Sequence, residues 1–335
     1  MFNAHRMLKR MVAVAFGFEK MNMSKYKNSK IFVCGHNGMV GSATMRLLKK
    51  KNFANIITVS SKELDLTNQL AVRSFFESQK IELVILSAAK VGGIQANIDN
   101  PGVFLFDNLM IQNNVIDAAY RNGVEKLVFL GSSCIYPKEC NQPMKEEYLL
   151  TGKLEPTNEG YAIAKIAGIK MLEAYHKQYG FKSISLMPCN LYGPNDSFDL
   201  KHSHVLSALV KRFTDARDNN DKEIVLWGTG IARREFMHVD DIAEAIFFML
   251  QNYDNTEFIN IGWGVDVSIK ELAAIIAQKV NYKGSILWDD TKPDGMLRKC
   301  MDVTKMKEIG FFPSIPLDKG IDQMIDIYQK IKTTA

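Results

Sequence analysis

The sequence has no CxxC pair, and its five cysteines, Cys34, Cys134, Cys140, Cys189 and Cys300, are an odd number scattered over 335 residues. That pattern argues against a disulfide framework and against a zinc site. It fits free thiols in a reducing, cytoplasmic setting, and no metal is expected. No apolar run approaches the length needed to span a bilayer, so no membrane partner is expected. A basic body is also missing. The formal net charge is +5, but residues 1–30 alone hold seven Lys/Arg against one Glu. The remainder is near neutral and gives no case for nucleic-acid binding. There is no internal repeat and no low-complexity tract.

The N-terminal segment lacks acids before Glu19 and has few serines, while Arg6, Lys9 and Arg10 come early. A transit segment shares that bias. The absence of a clear cleavage signal favours a disordered extension over 1–29, or an upstream start with Met21 or Met23 as initiator.

What remains is ordinary globular composition, 47% hydrophobic and 24% charged, enough for one large or two modest domains. Short apolar runs alternate with helical spacing. Strands are expected at 31–34, 56–60, 83–87, 126–130 and 183–187. Helices are expected at 41–51, 70–76, 108–121 and 159–179. This rhythm predicts an α/β fold with a Rossmann-type, doubly wound parallel sheet. After Pro188 the rhythm loosens, with a helix at 240–250 and a return to the sheet at 257–262. The expected division is a dinucleotide-binding domain over 30–189 plus 227–263, and a smaller α/β substrate-binding lobe over 190–226 plus 264–335. A cleft between them is the default ligand site.

Gly35-His36-Asn37-Gly38-Met39-Val40-Gly41 stands directly after the first strand and before a helix. Glycines there permit a tight turn and close backbone approach to a pyrophosphate, which meets the helix N-terminus. NAD enzymes usually place an acid at the end of the second strand for the ribose hydroxyls. Here the chain reads Val59-Ser60-Ser61-Lys62, with no acid until Glu63. Ser61 and Lys62 are suited to a 2′-phosphate, and NADP(H) is the expected cofactor. The bland alternative is a solvated turn.

Tyr161 and Lys165 are four apart on an expected helix and share a face. A nearby ammonium would favour the phenolate and make its proton transferable. YxxxK alone is a weak signal. It gains weight from the glycine loop and from Gly131-Ser132-Ser133-Cys134-Ile135-Tyr136-Pro137 after the fourth strand. If that backbone stays extended, Ser132 and Cys134 face the same way. The other four cysteines read as small buried hydrophobes. His204, in a loop before a helix, is by itself an ordinary solvated or capping histidine. Arg233 and Arg234 suit a diphosphate, whereas Lys211 and Arg217 read as surface charge.

These residues carry a resemblance. GxxGxxG, a serine-bearing strand end and YxxxK mark the extended short-chain dehydrogenase/reductases. Finer strings narrow it: Ala88 to Ile94 (AAKVGGI), Gly131 to Pro137, Pro156-Thr157-Asn158-Glu159, Met187 to Pro194 (MPCNLYGP) and Lys292-Pro293-Asp294-Gly295. From about Lys30 to near the C-terminus, the chain resembles the bifunctional epimerase-reductases that turn GDP-4-keto-6-deoxy-D-mannose into GDP-L-fucose. The resemblance implies catalysis by Ser132, Tyr161 and Lys165, with Cys134 and His204 as the epimerisation acid/base pair. It implies cofactor contacts at Gly35 to Gly41, Lys165, Pro188, Cys189, Asn190, Leu191 and His204. Contacts to the GDP-sugar are implied at Arg212, Trp227, Arg234 and Asp294. It further implies a homodimer through helices 108–121 and 159–179. At Ser61 the family often has arginine, a role Lys62 could fill. Dehydratases of the superfamily tend to carry Asp-Glu where this chain has Cys134-Ile135. Two rivals stay open: another sugar-nucleotide epimerase or reductase, and a catalytically silent dinucleotide-sensing scaffold.

Overall fold

The computed structural model describes residues 26–200, 203–292 and 294–334. The expected extension lies outside them up to residue 25. The reading of 1–29 as one extension is too long, because Tyr26 and Ser29 are already buried and Tyr26 joins the first core.

Six parallel strands form the central sheet in the order β2-β1-β3-β4-β5-β9: β1 (Ile31–Cys34), β2 (Ile56–Ile57), β3 (Leu83–Leu86), β4 (Lys126–Leu130), β5 (Ser183–Pro188) and β9 (Ile259–Ile261). β1, β3, β4 and β5 are buried at every residue. Their mainly apolar strings, interrupted only by Lys126, Ser183 and Ser185, are what a parallel strand needs when helices cover both faces. The chain runs from β1 outward to β2, then returns across β1 to β3. That reversal opens a crevice at the C-terminal ends of β1 and β3.

The flanking helices are α1 (Met39–Lys50), α2 (Gln69–Gln79), α3 (Ile94–Asp99), α4 (Pro101–Arg121) and α5 (Glu159–Tyr179). α4 starts seven residues before the expected Asn108. Pro101 at its first turn has a preset φ and needs no N–H partner there. α4 and α5 are locked together. Gln112 Nε2 donates to Ala164 O at 2.5 Å, and Tyr120 stacks on Tyr179 at 4.4 Å. Glycines make the approach possible. A Cβ on Gly160 would lie 2.9 Å from Pro101 O, and one on Gly168 would lie 2.6 Å from the Phe129 ring. α5 is therefore seated on β4, which fixes Tyr161 and Lys165 over that strand's end.

β2 is shorter than expected, because the chain turns at Ser60. There Glu63 accepts from Ser60 N at 2.9 Å and Ser60 Oγ at 2.6 Å.

The remaining elements are β6 (Asn190–Tyr192), α6 (Val205–Asn219), β7 (Glu223–Trp227), β8 (Arg233–His238), α7 (Val239–Asn252), β10 (Asp266–Ser268), α8 (Ile269–Lys279), β11 (Ser285–Asp289), β12 (Arg298–Lys299), α9 (Thr304–Ile309) and α10 (Leu317–Thr334). A second core gathers Leu206, Val210 and Phe213 of α6, Leu272 and Ile276 of α8, and Ile321 and Met324 of α10. Met301, Val303, Met306 and Phe311 instead pack in the first core. β8 joins the two: Phe236 faces the second core and Met237 the first. β8 pairs with β6, β10 and β12. Glu235, fully buried on β8, accepts from Gly264 N at 2.7 Å and Met301 N at 2.8 Å. Burial pushes its carboxyl up to about 7.

Candidate active site

The glycine loop is a cradle that side chains would fill. A Cβ on Gly41 would lie 2.1 Å from Gly35 O, and one on Gly35, at φ +82, would lie 2.8 Å from the Ala88 backbone. The loops after β1 and β3 thus touch at the sheet's reversal point. Gly38 caps α1 without a side-chain hydrogen bond, so the first N–H groups of the helix are offered outward to an anion. His36 Nδ1 is buried without a partner. A tight cradle, an uncapped helix start and an orphan imidazole nitrogen fit a dinucleotide. Asn37 is exposed, while Met39 and Val40 are half-buried against the core. Ser61 and Lys62 are exposed at the turn after β2. Lys62 has no ion pair among the described residues. Glu63, the first acid after the strand, is turned back onto Ser60, whose hydroxyl and N–H hold its carboxyl below the usual range. Pro188 to Leu191 run from the end of β5 into β6. Cys189 N donates to Ile261 O at 3.0 Å, and Asn190 Nδ2 to Glu235 O at 2.8 Å.

At the end of β4 the backbone does not stay extended. Ser132 has φ −159 and ψ 149, but residues 133–135 form a 3-10 turn capped by Ser132 Oγ, which accepts from Cys134 N at 3.3 Å. Ser132 and Cys134 are brought together by that turn, not by strand alternation. The Ser132 hydroxyl is close to the Tyr161 phenol. Burial raises the phenol, the nearby Cys134 sulfur adds to this, and Ser132 opposes it. Lys165 is not among the groups that shift the phenol in the ligand-free chain. Lys165 Nζ donates to Leu130 O at 2.8 Å and lies 5.7 Å from the Tyr161 ring centroid. Buried without a carboxylate, Lys165 falls to about 7. The Cys134 sulfur accepts from Asn158 Nδ2 at 3.2 Å and from Lys299 Nζ at 3.6 Å.

His204 is at the start of α6 and makes no side-chain cap there. Its Nδ1 is 3.2 Å from Asp196 Oδ1, and Ser207 Oγ donates to Asp196 Oδ2. The Asp196 hydrogen bond raises the imidazole, against an opposing cost of burial. A carboxylate on Nδ1 leaves Nε2 as the nitrogen for chemistry. Neighbouring Lys201 and His202 lie outside the described residues.

Around the ends of β7 and β8, Arg212 Nη2 donates to Val225 O at 2.6 Å and Arg234 Nη1 to Arg233 O at 2.9 Å. Neither guanidinium has an ion pair among the described residues. Arg233, by contrast, is bound to Asp266 and Glu271. Trp227 is 68% exposed, with Lys292 Nζ 5.9 Å from its ring centroid. Asp294 accepts from Thr229 N at 2.8 Å and Thr229 Oγ1 at 2.7 Å, which pins the loop after Trp227. Two guanidiniums without ion pairs among the described residues and an exposed indole are groups of the kind that suit a diphosphate and an aromatic base. The remaining cysteines read as structural. Cys34 and Cys189 are buried and their thiols raised by burial, Cys300 is pushed up to about 12, and burial also raises Cys140.

Sequence reasoning missed Asp196, Asn158 and Lys299 as partners of the proposed acid/base groups. Asn158 lies three residues before Tyr161. Lys299 is 165 residues from Cys134, and no spacing signals such a contact.

Residues 31–262 match the model of the NAD dependent epimerase/dehydratase family. The chain is 52% identical over 319 residues to GDP-L-fucose synthase 1 of Arabidopsis thaliana, covering 95% of this chain and 98% of that one. It is 48% identical over 301 residues to GDP-L-fucose synthase of Escherichia coli (strain K12), covering 87% and 94%. Among solved structures, a GDP-mannoheptose C4 reductase from Campylobacter jejuni with NADP bound superposes with a TM-score of 0.84 at 37% identity, covering 90% of this chain and 99% of that one.

Proposed function

The chain belongs to the NAD dependent epimerase/dehydratase family, and we infer that within it the protein is a bifunctional epimerase-reductase. It converts GDP-4-keto-6-deoxy-D-mannose to GDP-L-fucose with NADP(H) as cofactor. One observation carries the chemistry. A reductase set (Ser132, Tyr161, Lys165) is built around a cysteine, Cys134, that stands beside the Tyr161 phenol.

When bound, NADPH supplies the hydride that reduces the C4 ketone. Before that, the same ketone acidifies the hydrogens on C3 and C5. We assign Cys134 and His204 to removing and replacing those protons from opposite faces, which inverts both centres. Ser132 and Tyr161 hydrogen-bond the C4 oxygen while negative charge develops on it. Tyr161 then delivers a proton to that oxygen, and its raised phenol keeps the proton available until needed. Lys165, held by Leu130 O, orients the dinucleotide and stands one helical turn from Tyr161. Gly35 to Gly41 and Pro188 to Leu191 line the cofactor crevice, and Ser61 and Lys62 meet the 2′-phosphate. Arg212, Trp227, Arg234 and Asp294 hold the GDP moiety.

The first core is assigned to the dinucleotide-binding domain and the second to the substrate lobe. The assignment of a homodimer rests on exposed apolar side chains along α4 and α5, among them Phe106 at 61% and Ile163 at 42%. The cytoplasmic assignment rests on five free thiols. No described helix is long and apolar enough to cross a membrane.

The direct test is incubation with GDP-4-keto-6-deoxy-D-mannose and NADPH, followed by NMR of the product. GDP-L-fucose and stoichiometric NADPH oxidation are expected. No cofactor oxidation would overturn the reading.

A further inference from the structure

Lys299 has one side-chain hydrogen bond among the described residues, and its acceptor is the Cys134 sulfur at 3.6 Å. It is half-buried, and no carboxylate there forms an ion pair with it. The backbone beneath it is fixed. β12 pairs with β8 in the register Lys299↔Arg234. Cys300 N donates to Gln142 Oε1 at 3.0 Å, and Met301 N to buried Glu235 at 2.8 Å. Asn158 reaches the same sulfur at 3.2 Å from the turn that leads into α5. Its Oδ1 is buried without a partner, so the amide's one side-chain hydrogen bond is to sulfur.

We propose that Lys299 is a positioning residue for Cys134, aiming its sulfur and supplying the positive charge that the sulfur anion needs, with Asn158 as the neutral second donor. This rests on the reading of Cys134 as an epimerisation acid/base. In that step the sulfur anion takes a proton from C3 or C5. The C–H bond breaks as S–H forms, and its electron pair passes to the enolate oxygen. Lys299 Nζ, at 3.6 Å, faces the sulfur that carries this step. The groups facing Cys134 are Lys299, Asn158, Ser132 and the protonated Tyr161 phenol, so Lys299 is the charged one. Cys140 also feels Lys299, so the two thiols must be told apart in any test.

Two readouts separate this role from a structural one. The first is the iodoacetamide alkylation rate of Cys134 in the full-length, ligand-free protein at fixed neutral pH. Peptide mass spectrometry resolves it from Cys140. Lys299→Gln is expected to slow it about tenfold, with Lys299→Arg recovering most of the loss. The second is deuterium exchange at C3 and C5 in heavy water, set against NADPH reduction of the already epimerised ketone. In Lys299→Gln, exchange is expected to fall about tenfold further than reduction. Asn158→Ala, an independent variant, is expected to slow alkylation about threefold. Wild-type alkylation rates in Lys299→Gln and Asn158→Ala, or equal losses of exchange and reduction, would overturn the proposal. Alkylation requires no substrate and reads the surroundings of the Cys134 sulfur without any epimerisation step. Exchange in Cys134→Ser reads the acid/base role of Cys134, so the two ideas fail separately.

Discussion

Lys165 Nζ donates to the Leu130 carbonyl at 2.8 Å and passes the Tyr161 ring at 5.7 Å from its centroid. The lysine is therefore tied to the strand that leads to Ser132, not to the phenol oxygen. α5 and the end of β4 are coupled through one buried amine whose charge no carboxylate offsets. This coupling carries a stability cost, because burial disfavours the ammonium and lowers it to about 7.

That cost is measurable. The folded value lies below the 10.5 of a free lysine, so between the two the unfolded chain holds a proton that the folded chain has lost. Stability therefore rises with pH through this window and is lowest below it. Lys165→Met should raise the ligand-free stability by roughly 1–3 kcal/mol at mildly acidic pH, with the gain shrinking as pH rises. Urea melts at several pH values check this. Turnover should fall by about 10²–10⁴-fold in the same variant.

Tyr161→Phe removes the hydroxyl that meets Ser132 and would donate to C4. Reduction of the 4-ketone should fall by about 10²–10⁴-fold while NADPH binding holds. Stopped-flow reduction alongside fluorescence titration of NADPH separates the two effects.

Asp196 holds His204 through Nδ1 and raises its imidazole. A folded value above the ordinary one means that the pair stabilises the fold at low pH. That contribution is lost as pH rises through the folded value. In Asp196→Asn, the NMR titration midpoint of His204 should move down. Deuterium exchange into substrate should slow by about tenfold, because the ring loses its fixed tautomer.

Lys62 lies exposed beyond β2 without an ion pair among the described residues, and Glu63 is engaged by Ser60. Lys62→Glu should weaken NADPH binding by about tenfold or more and leave NADH binding nearly unchanged. Titration with both cofactors checks it.

Much of the frame was legible because burial wrote it into the sequence. β1 is a continuous apolar run and β4 is one that opens with Lys126, both with bounds that match the expected ones, and α5 runs from Glu159 to Tyr179 as its spacing implies, closed by Gly180 at φ +70. The start of α4 was missed because apolar periodicity is weak before Asn108, whereas Pro101 sets the true beginning. The 3-10 turn at 133–135 was missed because it depends on a single side chain, Ser132, competing for a backbone N–H. Ser132, Cys134, Tyr161 and Lys165 were readable as a local pattern. Their partners were not. Lys299 arrives through β12, and Asp196 through the turn after Tyr192, and neither position has a signature spacing to the group it meets.

The most direct test of two epimerisations followed by one reduction is the deuterium content of GDP-L-fucose made in heavy water with unlabelled NADPH. Deuterium at both C3 and C5, with protium at C4, is the predicted result. Product carrying protium at C3 or at C5 would contradict it.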